Sequence, residues 1–297
     1  MDAVLALGPN DSQAGECVVS IGVFDGVHQG HHRVLKTLRA TASRHTLPTV
    51  VLTFHPHPRC VLQPHKPLPM LVSLPRRLAL LAETGHVDRC IILPFNEHQR
   101  TQSADDFVRE TLVDRLGMRA LVVGENFVCG RGRVGSVDYL RTLGVRFGFT
   151  VHAVTMARPD RDTSSVPSSS TETRRLIQAG EVARAAVLLG RPHELECAVS
   201  GGLAHEGSHE LTLPAGMCIP APGTYTAVST GTDGRSKLVS VELTRDEETS
   251  GSRCLLRPIE GTRSKKLEPR PGTQVVIRFL DTLHSGIASK TEPLVTM

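Results

Sequence analysis

The sequence predicts an α/β protein in which a parallel sheet flanked by helices is followed by a small β barrel or sandwich. Short apolar runs alternate with amphipathic stretches through about residue 190, and β-branched runs between Gly, Pro and Thr turns follow them. The chain has 297 residues, a length that suits two domains. Its 39% hydrophobic and 22% charged residues lie close to globular averages, which excludes a wholly disordered chain.

The first half of the chain contains five predicted strands and four predicted amphipathic helices. The strands are Cys17–Val23, Thr49–Phe54, Arg89–Leu93, Ala120–Val123 and Thr150–Val154. The helices cover about 31–45, 75–85, 103–117 and 136–146. Ser103 and Asp106 have the spacing of a capping box at the start of the third helix. Apolar strands separated by helices are typical of βαβ units on a parallel sheet, where ligands bind beyond the carboxyl ends of the strands.

The predicted structure changes from helices to strands near residue 192. A Ser/Thr-rich loop, Thr163–Thr171, precedes a helix that ends at Gln178 and a second helix, Glu181–Leu189, which Gly190 caps. The predicted strands beyond it include Tyr225–Ser229, Leu238–Leu243 and Gln274–Phe279. Tyr225 and Phe279 are the aromatic residues of this half, so its core is expected to be aliphatic. We therefore place the domains at 1–192 and 193–297.

Composition also limits which cellular compartment and which classes of partner are expected. The seven cysteines are scattered without a C-x-x-C pair, which indicates a reducing compartment rather than a disulfide framework or a structural zinc site. No apolar run reaches the ~18 residues of a membrane span, and no secretory signal is apparent. A net charge of +4 with eight Phe, two Tyr and no Trp is weak support for nucleic-acid binding. We expect a cytoplasmic protein that binds neither membranes nor nucleic acid.

The densest chemical signal is Gly22-Val-Phe-Asp-Gly-Val-His-Gln-Gly-His31, between the first strand and the first helix. Gly26 and Gly30 allow a tight turn and a close approach of a ligand to the backbone. The N–H groups at the start of the helix favour an anion, and His28 and His31 can donate hydrogen bonds to phosphate oxygens. Two alternatives stay open: incidental surface histidines in a glycine-rich turn, or a metal site. No Cys or carboxylate pair completes a familiar ligand set, so we assign no metal ligands.

A second signal, Ser168–Arg175, lies at another junction between a loop and a helix. Hydroxyl groups, helix N–H groups and an arginine together suit a polyphosphate. The alternative is an ordinary Ser/Thr N-cap followed by a solvated arginine. Two such helix starts in one α/β domain indicate a nucleoside triphosphate.

A third segment, Gly130–Gly135, matches G-x-G-x-x-G, but we reject it as a dinucleotide fingerprint. The glycines of that fingerprint follow a strand at once, whereas here the apolar run ends near Val123 and residues 125–129 intervene.

Four motifs in order resemble the bacterial bifunctional riboflavin kinase/FAD synthetase family over about residues 17–190. Gly22–His31 matches its G-x-F-D-G-x-H-x-G-H signature, and Thr53-Phe-His-Pro-His-Pro58 matches the segment that lines its flavin site. Gly124–Gly135 is similar to G-x-[DN]-F-x-F-G-x-x-R-x-G, and Ser169–Arg174 corresponds to S-S-T-x-I-R, with Thr173 at the position of Ile. The resemblance implies a Rossmann-like nucleotidyltransferase domain with FMN adenylyltransferase activity, followed by a small β-barrel domain.

The resemblance also implies roles for residues. It implies transfer of AMP from ATP, with its Mg²⁺, to FMN, giving FAD and pyrophosphate. The implied catalytic residues are His28, His31 and Arg174. The implied ATP-binding residues are Gly22, Phe24, Asp25, Gly30, Ser169, Ser170 and Thr171. The implied flavin-binding residues are Phe54, Pro56, Pro58 and Asn126.

The sequence departs from the family at several points. Glu172 stands where the family commonly has arginine, and Cys129 stands where it usually has Phe. In the second half, Pro220–Tyr225 matches P-x-x-G-x-Y, but Gly201–Leu211 does not match G-x-x-L-G-F-P-T-A-N, and Arg253–Leu256 lacks the expected carboxylate. We therefore expect a degenerate kinase module. The alternatives are a nucleotidyltransferase for a different phosphorylated acceptor and a non-catalytic flavin- or nucleotide-binding protein.

Overall fold

The computed structural model describes residues 3–6, 15–66, 68–155, 168–204, 208–245, 252–259 and 271–283. For residues 3–6 and 201–204 it describes the backbone alone. Most of the predicted loop Thr163–Thr171 lies outside the described residues. Internal contacts divide the chain into two compact units, Met1–Glu172 and Thr173–Met297.

A six-stranded parallel sheet forms the centre of the first unit, in the order β1-β4-β3-β2-β5-β8. Its strands are β1 (Ala3–Ala6), β2 (Cys17–Ile21), β3 (Thr49–His55), β4 (Arg89–Pro94), β5 (Met118–Gly124) and β8 (Thr150–Val154). The five predicted strands and their parallel arrangement are confirmed, whereas β1 was not predicted. A two-stranded hairpin, β6 (Val128–Cys129) and β7 (Gly135–Ser136), lies apart from this sheet.

Helices connect these strands, and the four predicted helices are present. The helices are α1 (Gln29–His45), α2 (Pro58–Leu62), α3 (Leu74–Glu83), α4 (Glu97–Thr101), α5 (Ala104–Asp106) and α6 (Val137–Phe147). After α5 the chain continues as a π-helix over Phe107–Arg115. The predicted cap is confirmed, because Ser103 Oγ accepts from the Asp106 N–H at 3.1 Å. The five-residue helices α2 and α4 are too short for a periodic pattern to predict them.

Both faces of the sheet are buried, as a parallel sheet requires. Along β2, Val19 belongs to a core that includes Leu112 of the π-helix and Leu140 of α6. The neighbouring Val18 faces the opposite core, which contains Leu35 of α1 and Leu81 of α3. The alternation of side chains along β2 therefore fixes which helices cover each face.

The order of the strands predicts where a ligand would bind. The chain passes from β2 to β3 and β4 on one side of the sheet and then returns to β5 on the other side of β2. Ligands of open α/β sheets bind at such a reversal, beyond the carboxyl ends of the strands. The loops that follow β2 and β5 flank this position.

The second unit combines two helices with a closed barrel, so the barrel alternative is confirmed. Helix α7 (Ser170–Gln178) begins just before the division between the units, and α8 (Val182–Leu189) ends at Gly190 in the left-handed conformation. The antiparallel barrel has the order β10-β13-β12-β11-β14-β9. Its strands are β9 (His193–Ala204), β10 (Ser208–Thr212), β11 (Gly223–Gly231), β12 (Ser236–Arg245), β13 (Ser252–Pro258) and β14 (Gln274–Thr282).

Aliphatic side chains fill most of the barrel, as predicted. Tyr225 and Phe279 meet edge to face inside it, with ring centroids 5.5 Å apart. Val182 of α8 packs into the same core. Contacts thus group α7 and α8 with the barrel, whereas the sequence placed them in the first domain; the limits 1–192 and 193–297 stay a prediction.

His193 makes the stability of the barrel sensitive to pH. It is 1% exposed, its Nε2–H donates to the Cys218 carbonyl at 2.8 Å, and burial lowers its pKa from 6.5 to about 4. Between pH 6.5 and about 4 the unfolded chain gains a proton that the folded chain excludes. The contribution of His193 to the free energy of unfolding is therefore complete above pH 6.5. It decreases by up to about 3 kcal/mol as the pH falls through this window.

We predict that His193→Gln flattens this dependence, because the amide N–H can still donate to Cys218 but does not titrate. Urea unfolding at pH 7 and pH 4.5 measures the difference in unfolding free energy at each pH. His65→Gln, at an exposed position, is the control. Equal losses of stability in wild type and His193→Gln would contradict the assignment.

Candidate functional site

Three predicted functional segments leave the sheet at one edge. The histidine loop (Gly22–His28) follows β2, the acceptor segment (Thr53–Pro58) ends β3, and Gly124–Phe127 follows β5. Because β2 pairs with β3 on one side and with β5 on the other, the carboxyl ends of the three strands are adjacent. The structure therefore brings together segments that are about 100 residues apart in the sequence.

The histidine loop has an unfavourable backbone conformation. Phe24 has a φ of 54° and Val27 a φ of 40°, both in the left-handed region that non-glycine residues avoid. Gly26, with a φ of 80°, accommodates the turn without strain. Phe24 and Val27 are 3% and 1% exposed and belong to the core beside α1. Burial of these side chains thus stabilises a conformation that costs about 1–3 kcal/mol at each strained residue.

His28 begins helix α1. Its Nδ1 accepts from the His31 N–H at 3.3 Å, and the two imidazole rings stack with centroids 3.6 Å apart. A ring nitrogen that accepts a hydrogen bond carries no proton, so the neutral His28 ring has its proton on Nε2. The N-cap contact therefore leaves Nε2–H as the donor of this side chain.

His31 is a neutral side chain with unused hydrogen-bonding capacity. Burial holds its pKa well below 6.5, and the charges of His28, His32 and Arg77 lower it further. The residue is partly exposed, but its Nδ1 is buried and has no hydrogen-bond partner in the described part of the chain. At neutral pH this ring can donate one hydrogen bond without bringing a positive charge.

Asp25 connects the histidine loop to two other segments. Its side chain is 1% exposed and accepts from the Leu71 N–H at 3.1 Å and from the Val72 N–H at 3.4 Å. Its backbone carbonyl accepts from Ser170 Oγ at 2.9 Å. The two predicted phosphate-binding motifs, 145 residues apart at these positions, are thus in direct contact.

The start of α7 is arranged as an N-cap. Ser169 Oγ accepts from the Glu172 N–H at 3.2 Å, while Thr171 is exposed and Glu172 half-buried. Arg174 belongs to the second unit and is 7% exposed. The predicted roles of these residues in binding ATP stay predictions, as do those of Gly22 and Gly30, which lie after β2 and in the first turn of α1.

The predicted flavin-binding residues lie at the ends of β3 and β5. The Phe54 ring is half-buried and meets Phe95 edge to face at 5.8 Å. Pro56 is exposed, and Pro58 is the first residue of α2. Asn126 is exposed in a turn closed by the Phe127 N–H, which donates to the Gly124 carbonyl at 2.9 Å. Their contact with a flavin stays a prediction.

Sequence reasoning missed Arg77 of α3. Its side chain is 2% exposed, its Nη1 donates to the Val23 carbonyl at 2.7 Å, and its Nη2 donates to the Phe54 carbonyl at 3.4 Å. A signal was present in the sequence, because Arg77 falls at helical spacing on the face of α3 that buries Leu80 and Leu81. An arginine on an apolar face calls for a buried partner.

The glycine-rich Gly130–Gly135 segment forms the hairpin β6–β7 around a 3₁₀ turn, which confirms that it is not a dinucleotide fingerprint. Gly135 serves packing there, since a Cβ at this position would lie 2.6 Å from the Cys129 Sγ. Burial raises the pKa of the Cys129 thiol to about 12, so this thiol stays protonated.

None of the described helices is long and apolar enough to cross a membrane. Within the same described ranges, no three His, Cys, Asp or Glu side chains are grouped as metal ligands.

The match to a family model ends close to the division between the two units. Residues 10–170 match the FAD synthetase family model. A bifunctional riboflavin kinase/FMN adenylyltransferase from Pseudomonas fluorescens is 37% identical over 226 residues, or 74% of this chain and 70% of that protein. The protein of the same name from Escherichia coli K12 is 33% identical over 198 residues, or 66% of this chain and 60% of that protein.

A solved structure shares the whole fold. The crystal structure of a macrolide-efflux protein from Streptococcus pneumoniae superposes with a TM-score of 0.80 at 22% identity and covers 96% of this chain and 91% of that one. This likeness concerns the fold alone. The family model covers more than half of the chain, and the bacterial relatives exceed 30% identity. The chain therefore belongs to the FAD synthetase family and is a nucleotidyltransferase.

Proposed function

We propose that this chain transfers AMP from ATP to FMN, giving FAD and pyrophosphate. The observation that carries the proposal is the Ser170–Asp25 hydrogen bond, which joins the start of α7 to the histidine loop. Two helix N-termini with hydroxyl and imidazole groups are suited to one polyphosphate. The relatives named FMN adenylyltransferase support FMN as the acceptor.

The reaction needs no covalent enzyme intermediate. A phosphate oxygen of FMN attacks the α-phosphorus of ATP and forms a new P–O bond. The bond from the α-phosphorus to the oxygen that bridges to the β-phosphorus breaks, and its electron pair leaves with pyrophosphate. The Nε2–H group of His28 and the neutral ring of His31 donate to phosphate oxygens as negative charge develops. We assign Mg²⁺ to the ATP, as part of the substrate.

A second candidate acceptor is favoured by a cavity beside the carboxyl end of β4. Its volume is about 660 Å³, and Asn96, Gln99 and Gln102 line it. The side-chain oxygens of Gln99 and Gln102 are buried and have no partner in the part of the chain that the structure describes. The imide N–H of a flavin could satisfy one of them. A phosphorylated acceptor with more donors could satisfy both, so transfer of AMP to such a compound is the second candidate.

One reaction separates the two candidates. The full chain is incubated with Mg²⁺, ATP and FMN, and mass spectrometry follows FAD and pyrophosphate. ATP with a methylene group between the α- and β-phosphorus is the control, because it cannot release pyrophosphate. FAD formation supports the proposal. AMP transfer to other phosphorylated compounds without FAD formation would favour the second candidate.

We further propose that the barrel does not phosphorylate riboflavin. The carboxylates that could replace the missing one are engaged, since Glu210 pairs with Arg253 at 3.1 Å and Glu242 pairs with Arg257 at 3.0 Å. A third candidate, Glu206, lies outside the described residues. We place the enzyme in the cytoplasm, because its seven cysteines, all at described positions, are free thiols.

We predict that His31→Ala lowers the rate of AMP transfer about 10²–10³-fold, as expected for the loss of one donor to developing charge. The fold is expected to persist, because the residue as a whole is partly exposed. Single-turnover kinetics with ATP and FMN measure the effect. His45→Ala, at the exposed end of the same helix, is the control. Near-normal turnover of His31→Ala would remove His31 from the mechanism.

We predict that Glu172→Arg tightens ATP binding by about tenfold, because it replaces a repulsive charge near the triphosphate by an attractive one. The negative charge of Glu172 also stabilises the N-terminus of α7, so we expect the substitution to cause a small loss of stability. Calorimetric titration with the methylene analogue measures the affinity, and Glu172→Gln is expected to give an intermediate value. Weaker binding would show instead that Glu172 supports the site.

We predict that the full chain leaves riboflavin unchanged when it is supplied with ATP and Mg²⁺. Phosphoryl transfer requires groups that bind the phosphates and the metal, and Gly201–Leu211 lacks the family's motif for them. Chromatography follows FMN and FAD, and conversion of added FMN to FAD shows that the preparation is active. Sustained formation of FMN from riboflavin would overturn the claim.

A further inference from the structure

We propose that Arg77 is a positioning residue, which holds the histidine loop and the acceptor segment at the spacing that AMP transfer requires. This proposal rests on the proposed function. It concerns a residue that the chemistry above does not use.

Arg77 bonds to both segments at the point where their backbone pairing ends. The ladder between β2 and β3 pairs Ile21 with Leu52, and its last bond runs from the Gly22 N–H to the Leu52 carbonyl at 3.1 Å. Beyond this bond, side-chain donors rather than backbone N–H groups bind the carbonyls of the two segments. Thr53 Oγ1 donates to the Val23 carbonyl at 3.0 Å, and Arg77 donates to the carbonyls of Val23 and Phe54.

The surroundings of Arg77 indicate that its positive charge has a function other than stability. Burial lowers the pKa of Arg77, while the negative charge of Asp25 raises it. Its Nε is buried and has no partner among the residues that the structure describes. A buried cation with neutral partners is costly, and an apolar side chain of similar size is often more stable at such a place. The gain from an arginine is geometric, because its rigid planar fork donates to the two carbonyls from two separate nitrogens, whereas the donors of a lysine share one nitrogen on a flexible chain.

A shift of either carbonyl would also move a residue next to a predicted substrate contact. Val23 directly precedes Phe24, whose ring lies 5.0 Å from the ring of His31. Phe54 is itself a predicted flavin-binding residue. An error of about 1 Å between two reacting groups can cost about 100-fold in rate, even where each substrate still binds. Loss of Arg77 is therefore expected to lower kcat more than it raises the KM for ATP or FMN.

Arg77 also acts on the charge of His31. The groups whose charges act on His31 in the described structure are His28, His32 and Arg77, and all three disfavour a protonated ring. Removal of the Arg77 cation therefore lets His31 protonate at a higher pH. The acidic limb of the kcat profile is expected to move to higher pH in a variant that loses the Arg77 cation and to stay in place in a variant that keeps it.

The test compares Arg77→Met and Arg77→Lys with Arg76→Met. Arg76 is the neighbouring arginine, and its side chain forms an ion pair with Glu83 on the surface of the same helix. For Arg77→Met we expect kcat to fall about 100-fold, KM values to change less than about threefold, and the acidic limb to shift upward. For Arg77→Lys we expect a fall of about tenfold without a shift, because the charge remains while the fork is lost. Arg76→Met is expected to match wild type.

Each rate is divided by the concentration of folded protein, which circular dichroism measures at the assay temperature. If Arg77→Met does not fold, Arg77→Lys decides the question by its fall in kcat at unchanged KM. Both Arg77 variants behaving like Arg76→Met would overturn the positioning role and leave the proposed function intact. A wild-type chain that forms no FAD would overturn the proposed function first, and this proposal with it.

Discussion

Strand β2 is hydrogen-bonded along both edges, to β3 on one side and to β5 on the other, and the site depends on this pairing. The three strands are parallel, so the histidine loop, the acceptor segment and the turn after β5 emerge at the same edge. Register is fixed by burial, since a slip of one residue would exchange Val18 and Val19 between the two cores. The hydrophobic effect thus sets the position of polar groups that contribute little to it.

The site combines two strained residues with two stacked imidazoles. Phe24 and Val27 keep left-handed conformations because their side chains are buried. The same compact turn brings His28 and His31 into stacking contact, and burial keeps His31 uncharged. A neutral donor that is already oriented can respond to charge developing on a phosphate without first losing a tightly held solvent shell. The proposed reaction would make use of this rigidity.

Much of the architecture could be predicted from the sequence, because it depends on local patterns. Apolar runs predicted the five central strands, and the Ser103 cap and Gly190 followed from short-range chemistry. The Ser170–Asp25 contact could not be predicted, since it depends on how distant segments pack. Arg77 was missed because a charged residue in a helical pattern is usually solvated. Strands β1, β9, β10 and β13 were missed, although Leu195, Cys197 and Val199 of β9 are buried in alternation with their neighbours.

In the closed barrel of the second unit, the residues that stabilise the fold are distinct from the loop residues that connect the strands. Each of its strands is hydrogen-bonded on both sides, so no open edge remains to recruit another chain. Its core consists of inward side chains such as Tyr225, Val241, Ile277 and Phe279. Selection on shape and selection on activity can therefore act on different residues. Substitutions in the loops between its strands are compatible with a module that still folds, because the core and the closed hydrogen-bond pattern do not depend on them.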